Sequence, residues 1–322
     1  MIRGGLLALA LPCAGSALAQ GITLQSPIDC DLTRSCFIQQ YVDRDPGPGA
    51  RDFRCASLSY DGHKGTDFAL RSTAQMQTDV RVLASASGTV KGIRDGMVDR
   101  PFREADAASL EGRDCGNGVV IDHGDGWETQ YCHLKQGSIT VRPGQRIEAG
   151  TPLGYVGQSG RAAFPHVHLS VRNQGEVVDP FDPDGTLKCD ENTGSPLWQE
   201  VPVYRPGGLL DVGFTEQIPE FAAIKAGGAQ RQALTVQAPA LVIYGYYFGS
   251  RAGDTIRLSI KGPDGTVIED DVALEKTQAQ GFRAIGKKRR GGQWPAGTYE
   301  GAVGLFRDGT LIDSLTARIT LN

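Results

Sequence analysis

"FPHVHLSVR", residues 164–172, alternates two histidines with three aliphatic residues. Side chains at i and i+2 of a strand point to one face. His166 and His168 therefore share one side, while Val167, Leu169 and Val171 point the other way, into a core. Two imidazoles side by side on such a strand are either an exposed polar pair or part of a functional site. The rest of the chain decides between the two.

Outward from this stretch the chain reads as β-structure. "GVVIDHGDGWETQYCHL", residues 118–134, is two β-rich runs flanking His123-Gly124-Asp125-Gly126, and Asp-Gly is strong hairpin chemistry. Before it come "TDFAL" at 66–70, "VRVLAS" at 80–85 and "GTVKGIR" at 88–94. After it, residues 137–160 continue as short runs with Gly-marked turns. Residues 95–118 are polar, charged and without a sustained period, so they read as a long loop, a type of segment that is often functional. From 240 onward strands resume, with "GPDG" and "RDGT" marking two hairpins. The composition agrees: 43 glycines and 3 methionines in 322 residues favour strands and turns over long helices.

These patterns predict a mainly β chain. A Gly-rich antiparallel domain spans 55–189 and a small Ig-like β-sandwich spans 231–322. Residues 20–54 are read as an N-terminal extension and 190–230 as a linker. The second domain holds no histidine and no cysteine and reads as a binding or structural module that could be removed. Its "GKKRRGG", residues 286–292, reads as a solvated hairpin that could touch anionic polymers.

The first residues carry Arg3, a short apolar run from Leu6 to Leu11, and Ala17-Leu18-Ala19 ahead of Gln20. This reads as an export signal at 1–19, too short to span a bilayer. Its removal takes Cys13 away and leaves six cysteines, an even number in an exported chain, which predicts disulfides. Cys30–Cys36 is the easiest local loop, Cys115 and Cys132 flank the hairpin, and Cys55–Cys189 remains. No CxxC pair offers a structural metal site instead. The formal net charge of −4 argues against a nucleic-acid partner.

All five histidines fall between 63 and 168. "SYDGHKGTDFAL" sets His63 four residues before Asp67, and "TQYCHL" supplies His133. A catalytic zinc site commonly has three N/O ligands and one open position. His63, Asp67 and one histidine of the 166/168 pair would supply them, leaving two histidines for proton transfer and oxyanion stabilisation. His123 sits at the hairpin turn and reads as structural. Tyr60, Tyr131 and Tyr155 read as packing residues with a polar end.

HxxxD and HxH are each weak signals. In this order, on a Gly-rich β domain, with His133 between them, they resemble the lysostaphin/LytM-type zinc endopeptidases of peptidase family M23. The stretches that carry the resemblance are "GHKGTDFAL", "GNGVVIDHGDGWETQYCHL", "GQRIEAGTPLGYVGQSG" and "FPHVHLSVR". The resemblance implies one Zn²⁺ per chain on His63, Asp67 and His168, with His133 and His166 catalytic in an order it does not fix. It implies hydrolysis of peptide bonds in peptidoglycan stems or cross-bridges by a zinc-activated water. With the cysteines and the export signal, it implies action in the periplasm or, alternatively, in the medium. The D-Ala–diaminopimelate bond is the expected target. Two other functions fit the same fold: a non-catalytic wall-binding or amidase-activating protein, and a secreted bacteriolytic or elastase-like protease.

Overall fold

The computed structural model describes residues 21–186, 188–189 and 194–322, so the expected export signal lies outside the described residues. Strand is the dominant element throughout. The first half carries β1 (Cys36–Gln40), β2 (Thr66–Leu70), β3 (Arg81–Leu83), β4 (Gly88–Arg94), β5 (Asn117–Gly124), β6 (Trp127–Leu134), β7 (Arg146–Ile147), β8 (Pro152–Tyr155), β9 (His166–Asn173) and β10 (Glu176–Val178). One antiparallel sheet runs β1-β2-β9-β6-β5-β4-β7, with β10 beside β9, and β3 pairs with β8. The hairpin expected at 118–134 is β5–β6.

The alternation read from residues 164–172 is realised in β9. Val167, Leu169 and Val171 are buried with Phe68, Val119, Ile121 and Tyr131 in the core beneath the sheet. The opposite face carries His166 and His168. Direct pairing sets Asp67 opposite His168 and Ala69 opposite His166, and directly paired residues share a face of the sheet.

Several boundaries lie elsewhere than the sequence pattern placed them. The segment read as an N-terminal extension supplies β1, the edge strand beside β2. The segment read as a linker supplies β11 (Gly208–Thr215) and a short helix, here α2 (Phe221–Ala226). Trp198, from the same segment, is buried in the first core, and Leu24 pairs with it. The loop at 95–118 holds a one-turn helix, α1 (Ala107–Leu110), and its last residues begin β5.

The second module contains β11, β12 (Ala240–Ser250), β13 (Thr255–Gly262), β14 (Gly265–Ala273), β15 (Gln278–Lys288), β16 (Gly297–Arg307) and β17 (Thr310–Leu321). Two antiparallel sheets, β11-β12-β15 and β14-β13-β16-β17, face each other as a sandwich. The fourth strand pairs with the third, whereas a constant-type immunoglobulin domain pairs it with the fifth. The basic stretch after 286 ends β15 at an exposed edge of the module.

The expectation of a removable module does not survive the packing. "ALVIYGYYFGS" of β12 is buried along its whole length, because both of its faces are covered. Leu241, Ile243 and Tyr247 point into the sandwich core. Tyr244, Tyr246 and Phe248 point the other way, onto Phe37 of β1 and Ala69 of β2. The Phe37 and Phe248 rings pack at a tilt, with centroids 4.6 Å apart. Gln39 donates from its amide to Ala279 O at 2.9 Å, and Gln280 donates to Gln39 Oε1 at 2.8 Å. The two modules thus share one apolar joint on the face that carries the histidines.

The six cysteines pair as expected: Cys30–Cys36, Cys55–Cys189 and Cys115–Cys132.

Truncation after residue 230 leaves β11 without β12 and bares the joint, so the remaining chain should fail to fold as a soluble monomer. Phe37→Ala, in the full chain, should cost about 3–5 kcal/mol in urea unfolding. A truncated chain with undiminished thermal stability, or a neutral Phe37→Ala, would contradict the shared joint.

Candidate functional site

The histidine face of the sheet opens into a cleft of about 640 Å³, whose lining includes His63, Asp67, His133, His166 and His168. All five residues singled out from the sequence therefore meet in one place. His63 sits in the turn before β2, Asp67 within β2, and His166 and His168 on β9. His133 needs a special device, since strict alternation along β6 would turn it away from the face that Cys132 shares with His168. A register break between β5 and β6 and a left-handed backbone at His133 (φ 64°) swing its ring back. Its ring centroid lies 4.6 Å from that of His166 and 6.0 Å from that of His168.

Three atoms converge at the centre. Asp67 Oδ1 lies 2.8 Å from His168 Nδ1 and 3.2 Å from His63 Nε2, and the two nitrogens are 3.1 Å apart. The outer hydrogen bonds decide which nitrogens carry protons. His63 Nδ1 is 2.7 Å from the Tyr41 carbonyl, which can only accept, so the proton is on Nδ1 and the Nε2 lone pair faces inward. Ser170 Oγ donates to Lys64 O at 2.7 Å, so its oxygen accepts from His168 Nε2–H at 3.1 Å, and His168 Nδ1 is left as a lone pair. Two imidazole lone pairs and a carboxylate oxygen crowd together here, an arrangement that repels itself unless a cation is shared. These three residues could hold a metal ion.

The electrostatics agree. Asp67 is buried, and burial alone would raise its pKa. The imidazoles of His63, His166 and His168 outweigh that and hold it well below the usual carboxylate range. Burial depresses His63, but the Asp67 charge overrides it and pushes the imidazole up. The remaining two histidines behave differently. Burial holds His133 well below its ordinary value, and His166 and His168 push it further down. Burial also lowers His166, against the pull of Asp67. Each donates Nδ1–H to a backbone carbonyl, His133 to Ser159 O and His166 to Phe164 O, both at 2.8 Å. Each therefore keeps a free Nε2 lone pair near neutral pH.

The other candidates separate cleanly. His123 bridges Ser87 O and Thr129 Oγ1, both at 2.8 Å, outside the cleft. Tyr131 is buried, with its hydroxyl accepting from Ser85 N–H at 2.6 Å. Neither Tyr131 nor Tyr155 lines the cleft, whereas Tyr60 does, with its ring 4.4 Å from that of His63. The sequence pattern missed Ser170 as the partner of His168. Its signal was available, because the two-residue period that sets 166 and 168 on one face continues to 170. It also missed Phe102, Asp114, Arg161 and Phe164 as walls of the cleft, which come from loops without periodicity.

Residues 61–180 match the sequence profile described as Peptidase family M23, a span that contains all five site residues. The DD-carboxypeptidase/endopeptidase Mpg of Neisseria meningitidis serogroup B is 32% identical over 118 residues, covering 37% of this chain and 22% of that protein. The peptidoglycan DD-endopeptidase ShyA of Vibrio cholerae is 32% identical over 117 residues, covering 36% of this chain and 22% of that protein. The chain thus spans about a fifth of the length of these two curated relatives. Among solved structures, the catalytic domain of the prophage-encoded M23 protein EnpA from Enterococcus faecalis is 22% identical. It aligns over 49% of this chain and 93% of that chain at a TM-score of 0.32. The profile match bears out the resemblance read from the sequence over residues 61–180.

One glycine is required by the packing of the site. A Cβ at Gly65 would stand 2.5 Å from His168 Nε2 and 2.6 Å from the Leu169 carbonyl. The backbone oxygen cannot step aside. Gly65→Ala should therefore cost about 1–3 kcal/mol in denaturant unfolding by overpacking. Wild-type stability in that variant would contradict the close approach.

Proposed function

We propose that the chain is a zinc metalloendopeptidase that cleaves peptide bonds of peptidoglycan. In this reading His63, Asp67 and His168 hold one zinc ion, and His133 and His166 transfer protons. The observation that carries it is the meeting of His63 Nε2, Asp67 Oδ1 and His168 Nδ1 within 3.2 Å of one another, in an open cleft, with the outer nitrogens already tied. Two imidazole nitrogens and one carboxylate oxygen are a common catalytic zinc set. Ligands at 2.0–2.1 Å from a tetrahedral ion are about 3.3 Å apart, close to the separations here. The Tyr41 carbonyl and Ser170 supply the outer partners that fix ring orientation and raise ligand basicity.

When bound, zinc supplies Lewis acidity, lowering the pKa of a water toward about 7 and polarising a carbonyl oxygen. The chain's own residues do the rest. His133 and His166 each offer an Nε2 lone pair that can take a proton in the cleft. Once protonated, the same nitrogen becomes a donor to a developing oxyanion or to the leaving amine. Asp67 Oδ1, 3.5 Å from His166 Nε2, favours a proton on that ring.

Peptidoglycan as substrate is supported by the name of one relative, whose word DD-endopeptidase fits a bond between two D-configured centres, of which D-Ala–diaminopimelate is the one proposed. Three disulfides support an oxidising compartment, and a periplasmic location fits that substrate. A non-catalytic wall-binding role would tolerate a broken site, yet all five residues are present and oriented.

The test is zinc content by mass spectrometry beside initial rates on purified muropeptides. His63→Ala, Asp67→Ala and His168→Ala should each drop zinc well below one per chain and abolish cleavage. His133→Ala and His166→Ala should keep zinc and lose roughly 10²–10⁴ in rate. Ser170→Ala should keep cleavage at saturating zinc and weaken zinc affinity about 10–100-fold. His123→Ala should change neither. If His166→Ala lost zinc and His168→Ala kept it, the roles of the pair would be reversed. If none of the variants altered zinc content, the metal site would be wrong.

A further inference from the structure

A second cavity, of about 370 Å³, lies across Phe164 from the histidine cluster. Ala163 and Phe164 line both spaces, so the cavity and the cleft share one wall. That wall is set by the second module. The Phe164 ring lies 4.5 Å from that of His166 on one side and packs on the other into the joint formed by Phe37, Ala69, Tyr246 and Phe248. The far side of the cavity is built by α2 and Tyr246 of the second module, against Leu70 to Thr73 of the first.

The cavity is largely apolar but holds two cations, Arg71 and Lys225. Among the described residues, neither has a carboxylate within ion-pair distance. Arg71 instead donates to the carbonyls of Leu210 and Thr33, at 3.2 and 3.5 Å, while its buried Nε has no partner. Lys225 Nζ stands 5.0 Å above the Phe221 ring. The acidic groups that Arg71 senses from its surroundings are otherwise engaged. Asp313 binds Arg205 at 2.7 Å, Asp211 accepts from Tyr244 at 2.6 Å, and Asp31 accepts from the Thr33 hydroxyl at 2.6 Å. Two cations without anions in a partly dehydrated pocket favour a charged acceptor, and hydrogen bonds to a carboxylate are the strong kind.

Position supplies the rest. Arg71 stands four residues after Asp67, just past the end of β2, a distance of about 13 Å at the usual strand rise. An extended peptide covers that in about four residues. We infer that this interdomain cavity is a subsite for a free carboxylate on the peptide bound in the cleft, three to four residues from the bond cut, held by Arg71 and Lys225. The inference rests on the peptidase reading for its substrate. It assigns the second module a direct part in substrate choice.

The probes are a synthetic cross-linked stem-peptide dimer with free carboxylates and its counterpart with those groups converted to carboxamides. Binding is read by fluorescence anisotropy on the full chain carrying His133→Ala, and cleavage on the full chain without it. The acid peptide should bind about 10-fold more tightly than the amide, the worth of one charge-assisted contact. Lys225→Gln, on a half-buried side chain, should remove most of that preference while leaving amide binding unchanged. Arg71→Gln should do the same, and Arg71→Lys should restore part of it. Equal affinity for the two peptides, or equal weakening of both by Lys225→Gln, would overturn the subsite. Cleavage of both peptides without preference would leave the peptidase reading standing while removing the subsite. A preference in binding without any cleavage by the unsubstituted chain would do the reverse.

Discussion

A buried carboxylate organises this molecule. Asp67 sits on the second strand of the sheet, 2% exposed, with three imidazoles around it. A lone charge in such a place is costly unless it is paired or coordinates a metal. Each neighbouring feature answers that cost. β2 and β9 pair in a register that sets His168 directly opposite, Gly65 clears room for its ring, and the turn before β2 brings His63 within 3.2 Å. The hydrogen bonds to Tyr41 O and Ser170 then turn the other nitrogen of each ring inward.

Much of this was legible in the sequence for a simple reason: strands write their geometry into a period of two. "HVHLSV" exposes its alternation directly, and Asp67 falls within "TDFAL", itself readable as a short strand. The cysteine pairing was legible because two of the three pairs are local or flank a hairpin. What stayed hidden depends on contacts far apart in the chain. Nothing in residues 36–40 announces an edge strand beside β2, and nothing in 208–215 marks the first strand of the sandwich. One clue was present in "ALVIYGYYFGS", where eleven residues without a single charged side chain signal two buried faces. His133 was identified by its residue type, but its placement relies on a left-handed backbone that the pattern of β6 does not reveal.

The second module changes how the cleft is to be understood. It covers one end of the very face that carries the histidines, through Phe37, Ala69 and Phe164. The loop at 95–118 closes another side, with Phe102 and Asp114 in the lining and its end pinned by Cys115–Cys132. The five site residues lie within the span that matches family M23, whereas Gln40 and Tyr60 of the cleft wall lie outside it.

X-ray absorption at the zinc edge, on the full chain loaded with one equivalent of zinc, addresses the central claim most directly. The account predicts a stoichiometric ion with an N/O shell at about 2.0–2.1 Å, containing two imidazoles and no sulfur. A sulfur shell near 2.3 Å, a single imidazole, or failure to retain zinc through gel filtration would contradict it.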